Sequence, residues 1–393
     1  MSLSPFYLLN NTIQNYPWGS KTAISDYFGI ANITNEPQAE IWMGAHPNGC
    51  SKVFDSGEER LLSDFIDQDP EGILGVQTLD TFGGLPYLFK VLAANEALSI
   101  QVHPSKPQAE EGFALEEAEG VDRKAFNRNY KDPNHKPELV YALTNYKAMN
   151  GFRDFAEMTA LLSDVNSAAL NEELALFRDN MSSEGLQRFF RFTLELEGRA
   201  KEQALTDLLA WAKSTSNELG ALIIELNGQY PNDVGLLSPL MLNVLELVPG
   251  EAMFLDAGTP HAYIKGLGLE VMANSDNVLR AGLTPKYMDV DELVKCCKFD
   301  ALNINNIRTK PIDDNIQYEF PVPAEDFKFS VFHNPQEYKV DQRRAEIVLA
   351  VNADATLVSG KNKLVLMKGE SAFIPLSKYG YNITCNGILA RCY

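Results

Sequence analysis

Two short segments, far apart in the chain, carry residues that could hold a divalent ion. The run SIQVHPS at residues 99–105 offers Gln101 and His103. The run AGTPHAY offers His261, held just past a Gly-Thr-Pro corner at the start of a strand pattern. Glu138, in HKPELV, supplies a carboxylate. Two imidazoles, one carboxylate and one amide oxygen make a mixed nitrogen and oxygen donor set. Such a set suits Zn²⁺, with Mn²⁺, Co²⁺ and Fe²⁺ as alternatives. With one carboxylate, the bound ion keeps a net charge of about +1 and stays a useful Lewis acid. The chain has five histidines, at 46, 103, 135, 261 and 333, so any histidine site draws on that small set. Each segment alone is a weak signal, because a lone histidine before a strand is more often structural.

Cations cluster near the same segments. Lys136 stands two residues before Glu138, and the proline after it favours extended backbone, so the two side chains should share a face. Arg280 and Lys286 follow in NVLRAGLTPKY, and Lys90 lies in the strand pattern before SIQVHPS. In an acidic protein such a group would suit a phosphate. For Lys90 or Lys286 singly, the competing reading is a solvated surface lysine. Glu270 lies nine residues after His261, beyond a turn expected at 265–268. A hairpin there would fold Glu270 back beside His261 as a base, a support for a metal ligand, or a salt-bridged structural group. His135 is a competing base.

These residues need strands to hold them. Residues 1 to about 150 read as β-rich, with Gly, Pro and Asn turns throughout. Residues 87–92 and 98–103 read as strands joined by AANEA. Period-two alternation puts Ser99, Gln101 and His103 on one face of the second, with Ile100 and Val102 on the other. That polar face could equally be a solvent face. From 151 to 231 the pattern turns helical. Asp154 and Glu157 resemble a capping box. Ala204, Leu205, Leu208, Leu209 and Ala212 form one apolar stripe, and Leu219, Leu222, Ile223 and Leu226 another that ends at Asn227-Gly228. This segment shows no chemistry and reads as an inserted helical domain. Strands return from Ser238, and Lys361-Asn362 should turn a hairpin between ATLVS and KLVLM. An internal echo is also present: LELVPGEAMFLDAGTPH aligns without gaps to LVLMKGESAFIPLSKYG, with His261 opposite Gly380. The echo implies two copies of one β-unit, of which only the first keeps a ligand.

At 393 residues the chain is long enough for two or three domains. A net charge of −19 argues against a nucleic-acid surface, which needs a basic stripe. No apolar run is long enough to cross a bilayer, and the first residues lack a signal-peptide pattern, so a cytoplasmic location is expected. Five scattered cysteines without a CxxC pair read as reduced structural thiols.

Several longer motifs carry a resemblance. SIQVHPSK, YKDPNHKPEL, GTPHAYIKG and EVMANSDNVLRAGLTPKY resemble signature segments of the type I phosphomannose isomerases, as do NYPWGSK and AEIWMGAHP nearer the start. They occur in family order from residue 15 to 290. The resemblance implies a mainly β fold with a helical insertion: two cupin-type jelly-roll β-barrels plus a small α-helical domain. A catalytic unit would span 1–150 and 232–305, the insertion 151–231, and a metal-less cupin-like unit 306–393. It also implies one Zn²⁺ per chain on Gln101, His103, Glu138 and His261, with Arg280, Glu270 and Lys136 as catalytic residues. Ser99, Lys90, Lys286 and His135 would bind a phosphosugar substrate. A monomer is expected, with no nucleic-acid or membrane partner. The implied reaction interconverts mannose 6-phosphate and fructose 6-phosphate through a cis-enediol. Two other readings compete: a redox-metal cupin dioxygenase, a class that prefers two or three histidines with a glutamate and against which Gln101 and the nearby cations argue, and a sugar-binding protein with a closed structural zinc.

Overall fold

A computed structural model describes residues 3–55 and 57–393. The chain is mainly β, with a block of helices inserted between strands. The first large sheet runs, in spatial order, through Arg308–Thr309, Ala252–Leu255, Glu138–Ala142, His261–Ala273, Tyr87–Ala94, Glu40–Met43 and Thr12–Gln14. The second runs from Ile312–Asp313 through Gln317–Phe320, Phe329–His333, Ile388–Cys392, Glu346–Ala350 and Ser371–Ile374 to Tyr7–Asn10 and beyond. The N-terminal strand therefore pairs with late residues, Tyr7 opposite Phe373. The two sheets share a core. Phe89 and Tyr141 of the first meet Phe329 of the second, with ring centroids 6.0 and 5.7 Å apart. Burial of such rings is the main force joining the two sheets.

The strand His261–Ala273 organises the first sheet, and here the expected hairpin is replaced. The segment is one continuous strand of thirteen residues. Its first half pairs with Tyr146–Phe152 and Gln101, and its second with Tyr87–Ala94 and Glu138–Ala142. The register slips between Tyr263 and Lys265, and Gly266 has φ +138°. A Cβ there would lie 2.6 Å from the Asn145 carbonyl oxygen, so only glycine lets the strand bend between its two sets of partners. A bend, not a reversal, serves both His261 and Glu270.

Smaller expectations shift for local reasons. Strand pairing near residue 100 is limited to Gln101–Val102, while the preceding strand continues through Ala94. Asp154 caps its helix by accepting from the Ala156 and Glu157 amides, but Glu157 turns to Arg153 instead of completing the box. The last long helix, Glu218–Gln229, passes Asn227-Gly228 and stops at Tyr230. In the late hairpin Ser359 pairs with Asn362, so the turn is Gly360-Lys361, with Gly360 at φ +60°. The helical stripes are core: Leu205, Leu208, Leu222, Ile223 and Leu226 are buried together.

The internal echo is a structural repeat. In each copy a glycine of positive φ, Gly250 (+97°) or Gly369 (+87°), ends the turn. In each, the next glutamate closes the turn with its own carboxylate: Val248 N–H donates to Glu251 Oε2 at 3.0 Å, and Met367 N–H to Glu370 Oε2 at 2.8 Å. Each turn is tied to one neighbouring strand, through Ala142 in the first copy and Ala350 in the second. Those strands read ELVYA and EIVLA, so Glu346 stands where Glu138 stands. In the next strand Arg391 lies opposite Val348, as Glu270 lies opposite Val140.

Candidate metal centre and cavity

Glu138, His103 and His261 converge although they come from three separate segments. The first strand position of Glu138–Ala142 places the carboxylate opposite Met272 and Leu255. His261 starts the bent strand and pairs with Gln101, which sets the two-residue strand that precedes His103. One donor atom from each of the three residues lies within 4.8 Å of the others, and all three residues are buried. His103 Nε2 is 3.2 Å from Glu138 Oε1, and His261 Nε2 is 3.5 Å from Glu138 Oε2.

The proton positions follow from the opposite ring nitrogens. His103 Nδ1 lies 2.7 Å from the Asn277 carbonyl oxygen, and His261 Nδ1 lies 2.8 Å from the Thr259 carbonyl oxygen. A carbonyl only accepts, so each Nδ1 carries a proton, and in a neutral ring Nε2 is then the lone-pair atom that faces Glu138. Burial pushes His103 down to about 4, against the pull of Glu138, so the ring is neutral at neutral pH. Burial also works against the ionised form of Glu138, but the neighbouring Lys136 ammonium favours it, and the carboxyl lies well below its usual range. Two lone pairs and a carboxylate therefore face one another, and His103 Nε2 is buried without a hydrogen-bond partner. Such an arrangement is costly unless a cation lies between them. Tyr263 supports it by donating to Glu138 Oε2 at 2.9 Å.

A cavity of about 540 Å³ opens beside this group. Ser99, Gln101, Lys136, Arg280 and Lys286 line it. The alternation expected around residue 100 holds, since Ile100 and Val102 are fully buried while Ser99 and Gln101 face the cavity. Lys136 Nζ lies 3.3 Å from Glu138 Oε1. The Arg280 guanidinium has neither hydrogen bond nor ion pair among the described residues, and burial lowers its pKa from the usual arginine value. Burial, then Arg280 and Lys131, likewise lowers Lys286. An unpaired guanidinium with a lysine near it is a ready anion site.

Lys90 and Glu270 sit opposite each other across neighbouring strands and form a buried pair, Nζ to Oε2 at 2.8 Å. Glu40 lies 3.8 Å from the same ammonium. Burial opposes the charge on Lys90, but Glu270 and Glu40 outweigh it and raise the pKa. Burial raises Glu270, with Lys90 opposing. Lys90 is thus neither a solvated surface lysine nor a free anion anchor. His135 is not brought to the cavity. Its Nε2 lies 2.9 Å from Asp326 Oδ2, and it lines a separate cleft beside Phe82 and Pro323. Extended backbone explains the divergence, because neighbours on a strand point to opposite faces and Lys136 takes the inward one.

Sequence reasoning missed Glu40, Trp42, His46 and Asp276, which also line the cavity. Trp42 donates to Glu40 at 2.7 Å and lies 5.2 Å from Lys90. The available signal was Glu40 itself, a lone charge two residues from Trp42 in the apolar run EIWM.

The fold and site define a class: mainly β proteins with a cupin domain, a helical insertion and a buried metal group of two histidines and a carboxylate. Residues 6–155 match the profile of the phosphomannose isomerase type I catalytic domain. Residues 161–242 match the helical insertion domain of the same proteins, and 316–393 the cupin domain of mannose-6-phosphate isomerase. The mannose-6-phosphate isomerase of Escherichia coli is 47% identical over 387 residues, 98% of each chain. A point mutant of phosphomannose isomerase from Salmonella typhimurium superposes with a TM-score of 0.96 at 46% identity, over 99% of each chain. A zinc-bound mannose 6-phosphate isomerase superposes at 0.95, with the same identity and coverage. The chain belongs to the type I phosphomannose isomerase family.

Proposed function

We propose that this chain is a zinc-dependent aldose-ketose isomerase interconverting mannose 6-phosphate and fructose 6-phosphate. The observation that carries the reading is the set of lone pairs from His103, His261 and Glu138, aimed at one another beside a cavity with an unpaired Arg280. The 47% identical relative named for this activity supports it. His103, Glu138 and His261, with Gln101, would hold the zinc. Zinc there would supply a Lewis acid that lowers the energy of negative charge on nearby sugar oxygens.

The chain's own residues account for the rest of the reaction. The open-chain aldose loses its C2 proton to Glu270, whose burial raises its affinity for a proton. A second proton moves from O2 to O1 by way of the cis-enediol, and Glu270 returns its own proton to C1, giving the ketose. Lys90, ion-paired to Glu270, sets the basicity of that carboxylate instead of anchoring phosphate. Arg280 and Lys136 hold O1 and O2, where charge develops. Lys286 and Ser99 take the phosphate and so position the reacting carbons. His135 has no part in this scheme.

The same reading takes 1–150 with 232–305 as the catalytic cupin barrel, 151–231 as the insertion and 306–393 as a second, metal-less barrel. The first strand is lent to the last unit. The same reading takes the chain as a monomer acting in the cytoplasm. No helix among the described residues is long and apolar enough to cross a membrane.

The test is conversion of mannose 6-phosphate by chelator-treated protein, before and after zinc is added. Loss on chelation and recovery with zinc is the expected result. No conversion with one zinc demonstrably bound per chain would refute the assignment.

A further inference from the structure

The helical insertion brings no group of its own to the metal, yet the segment leaving it touches both loops that wall the cavity. Gln229 Oε1 accepts from the Ala97 amide at 2.9 Å, and the Tyr230 hydroxyl donates to the Ala97 carbonyl at 2.6 Å. Both backbone groups of a fully buried residue, two positions before Ser99, are thereby fixed. Three residues further on, the Asp233 carboxylate takes hold of the opposite loop. Its Oδ1 accepts from the Gly235 amide at 2.7 Å and the Leu283 amide at 2.8 Å, and its Oδ2 accepts from the Thr284 amide at 3.1 Å.

That second loop needs holding. Leu283 is buried with φ +51°, a conformation unfavourable for a branched side chain that persists only where the surroundings enforce it. Gly282, at φ +115°, packs so closely on Gly235 that a Cβ would lie 2.6 Å from the Gly235 Cα. Two of the three N–H groups on that carboxylate, those of Leu283 and Thr284, belong to the loop and hold its bend. The loop then delivers Thr284 and Lys286 to the cavity. The two walls are also laced together. Ile100 N–H donates to the Gly282 carbonyl at 3.0 Å, and Ala281 N–H to the Ile100 carbonyl at 2.9 Å. Displacement of one wall is therefore transmitted to Ser99 and Gln101 on the other.

We infer that the exit of the helical insertion is a brace for the substrate cavity and that Asp233 is its positioning residue, setting the loop that carries Lys286. This role rests on the isomerase reading, in which Lys286 binds the phosphate. It gives the insertion a function in substrate binding although Asp233 itself does not reach the cavity.

The experiment compares the wild type with Asp233→Ala and Asp233→Asn for kcat, KM, bound zinc, thermal midpoint and binding of inorganic phosphate. Asp233→Ala should raise KM for mannose 6-phosphate about tenfold or more, while kcat stays within about threefold. Bound zinc should not change. Asp233→Asn keeps Oδ1 for Gly235 and Leu283 and loses only the acceptor for Thr284, so it should recover most of the loss. A purely structural role would lower the thermal midpoint and leave KM of the folded enzyme within about twofold, and that result overturns the inference. If the alanine variant does not fold, Asp233→Ser, which offers one shorter acceptor in place of two, takes its place, and an unchanged KM there overturns the inference equally. If the wild type does not isomerise this sugar, the isomerase reading fails, and phosphate binding decides the brace separately. Weaker phosphate binding in the variants upholds it, and equal binding refutes it.

Discussion

Replacing Arg391 by Met would strip a guanidinium from a carboxylate that has no access to water. Glu346 stands where the catalytic unit has Glu138, but no histidines converge on it. Arg391, in the place of Glu270, supplies the positive charge through its Nε, 2.8 Å from Oε2, and through Nη2 on Oε1. The Tyr381 hydroxyl donates to Oε2 at 2.6 Å, much as Tyr263 donates to Glu138. Side-chain exposures of 4% and 0% leave no solvent screening to discount. Arg391→Met removes both N–H contacts and leaves the ion with the tyrosine alone. Breaking a buried pair from one side costs about 3–5 kcal/mol. The double variant Glu346→Gln/Arg391→Met leaves a neutral amide against the same tyrosine, and should lose only about 1–2 kcal/mol. Urea unfolding at constant m would measure both, and the double-mutant cycle would give the coupling. A loss below about 1 kcal/mol for Arg391→Met, or a double variant less stable than the single one, would refute the equivalence of this pair to a metal-bound carboxylate.

Glu270→Gln should abolish most turnover while zinc stays bound, because the amide cannot accept the C2 proton. Activity within about tenfold of wild type would exclude Glu270 as the base. His103→Ala should lose the metal as well as the activity, read by metal content after dialysis, and retention of a full equivalent of zinc would contradict the donor set. Burial holds His46 below the usual imidazole value, with Asp276 opposing. The unfolded chain then takes up the proton first, so stability is lost as pH falls below about 6.5. His46→Gln should flatten that part of the unfolding free energy plotted against pH, and an unchanged slope would show that another group controls it.

Much of the site was legible because its determinants are local. Period-two alternation fixes which face Ser99, Gln101 and His103 share, and the proline after Lys136 fixes the extended backbone that brings it beside Glu138. The same local logic, applied to Lys265–Gly268, gave the wrong answer. A glycine-rich stretch within a strand signals a bend as readily as a reversal, and only the pairing partners on either side distinguish the two. His135 illustrates the same limit. It lies one residue from Lys136 and three from Glu138, yet its partner is Asp326, nearly two hundred positions away.

Residue types and spacing by themselves pointed to His103, Glu138 and His261, to the helical character of the middle segment and to the duplicated turn, since each depends on side-chain chemistry and on periods of two or 3.6 residues. Only the tertiary structure decided which charges neutralise one another. Lys90 was a free cation on paper and is the buried partner of Glu270, and Arg391 was unremarked and is the buried partner of Glu346. Ion pairing depends on distance and on the exclusion of water, and both arise when strands far apart in sequence are brought into register.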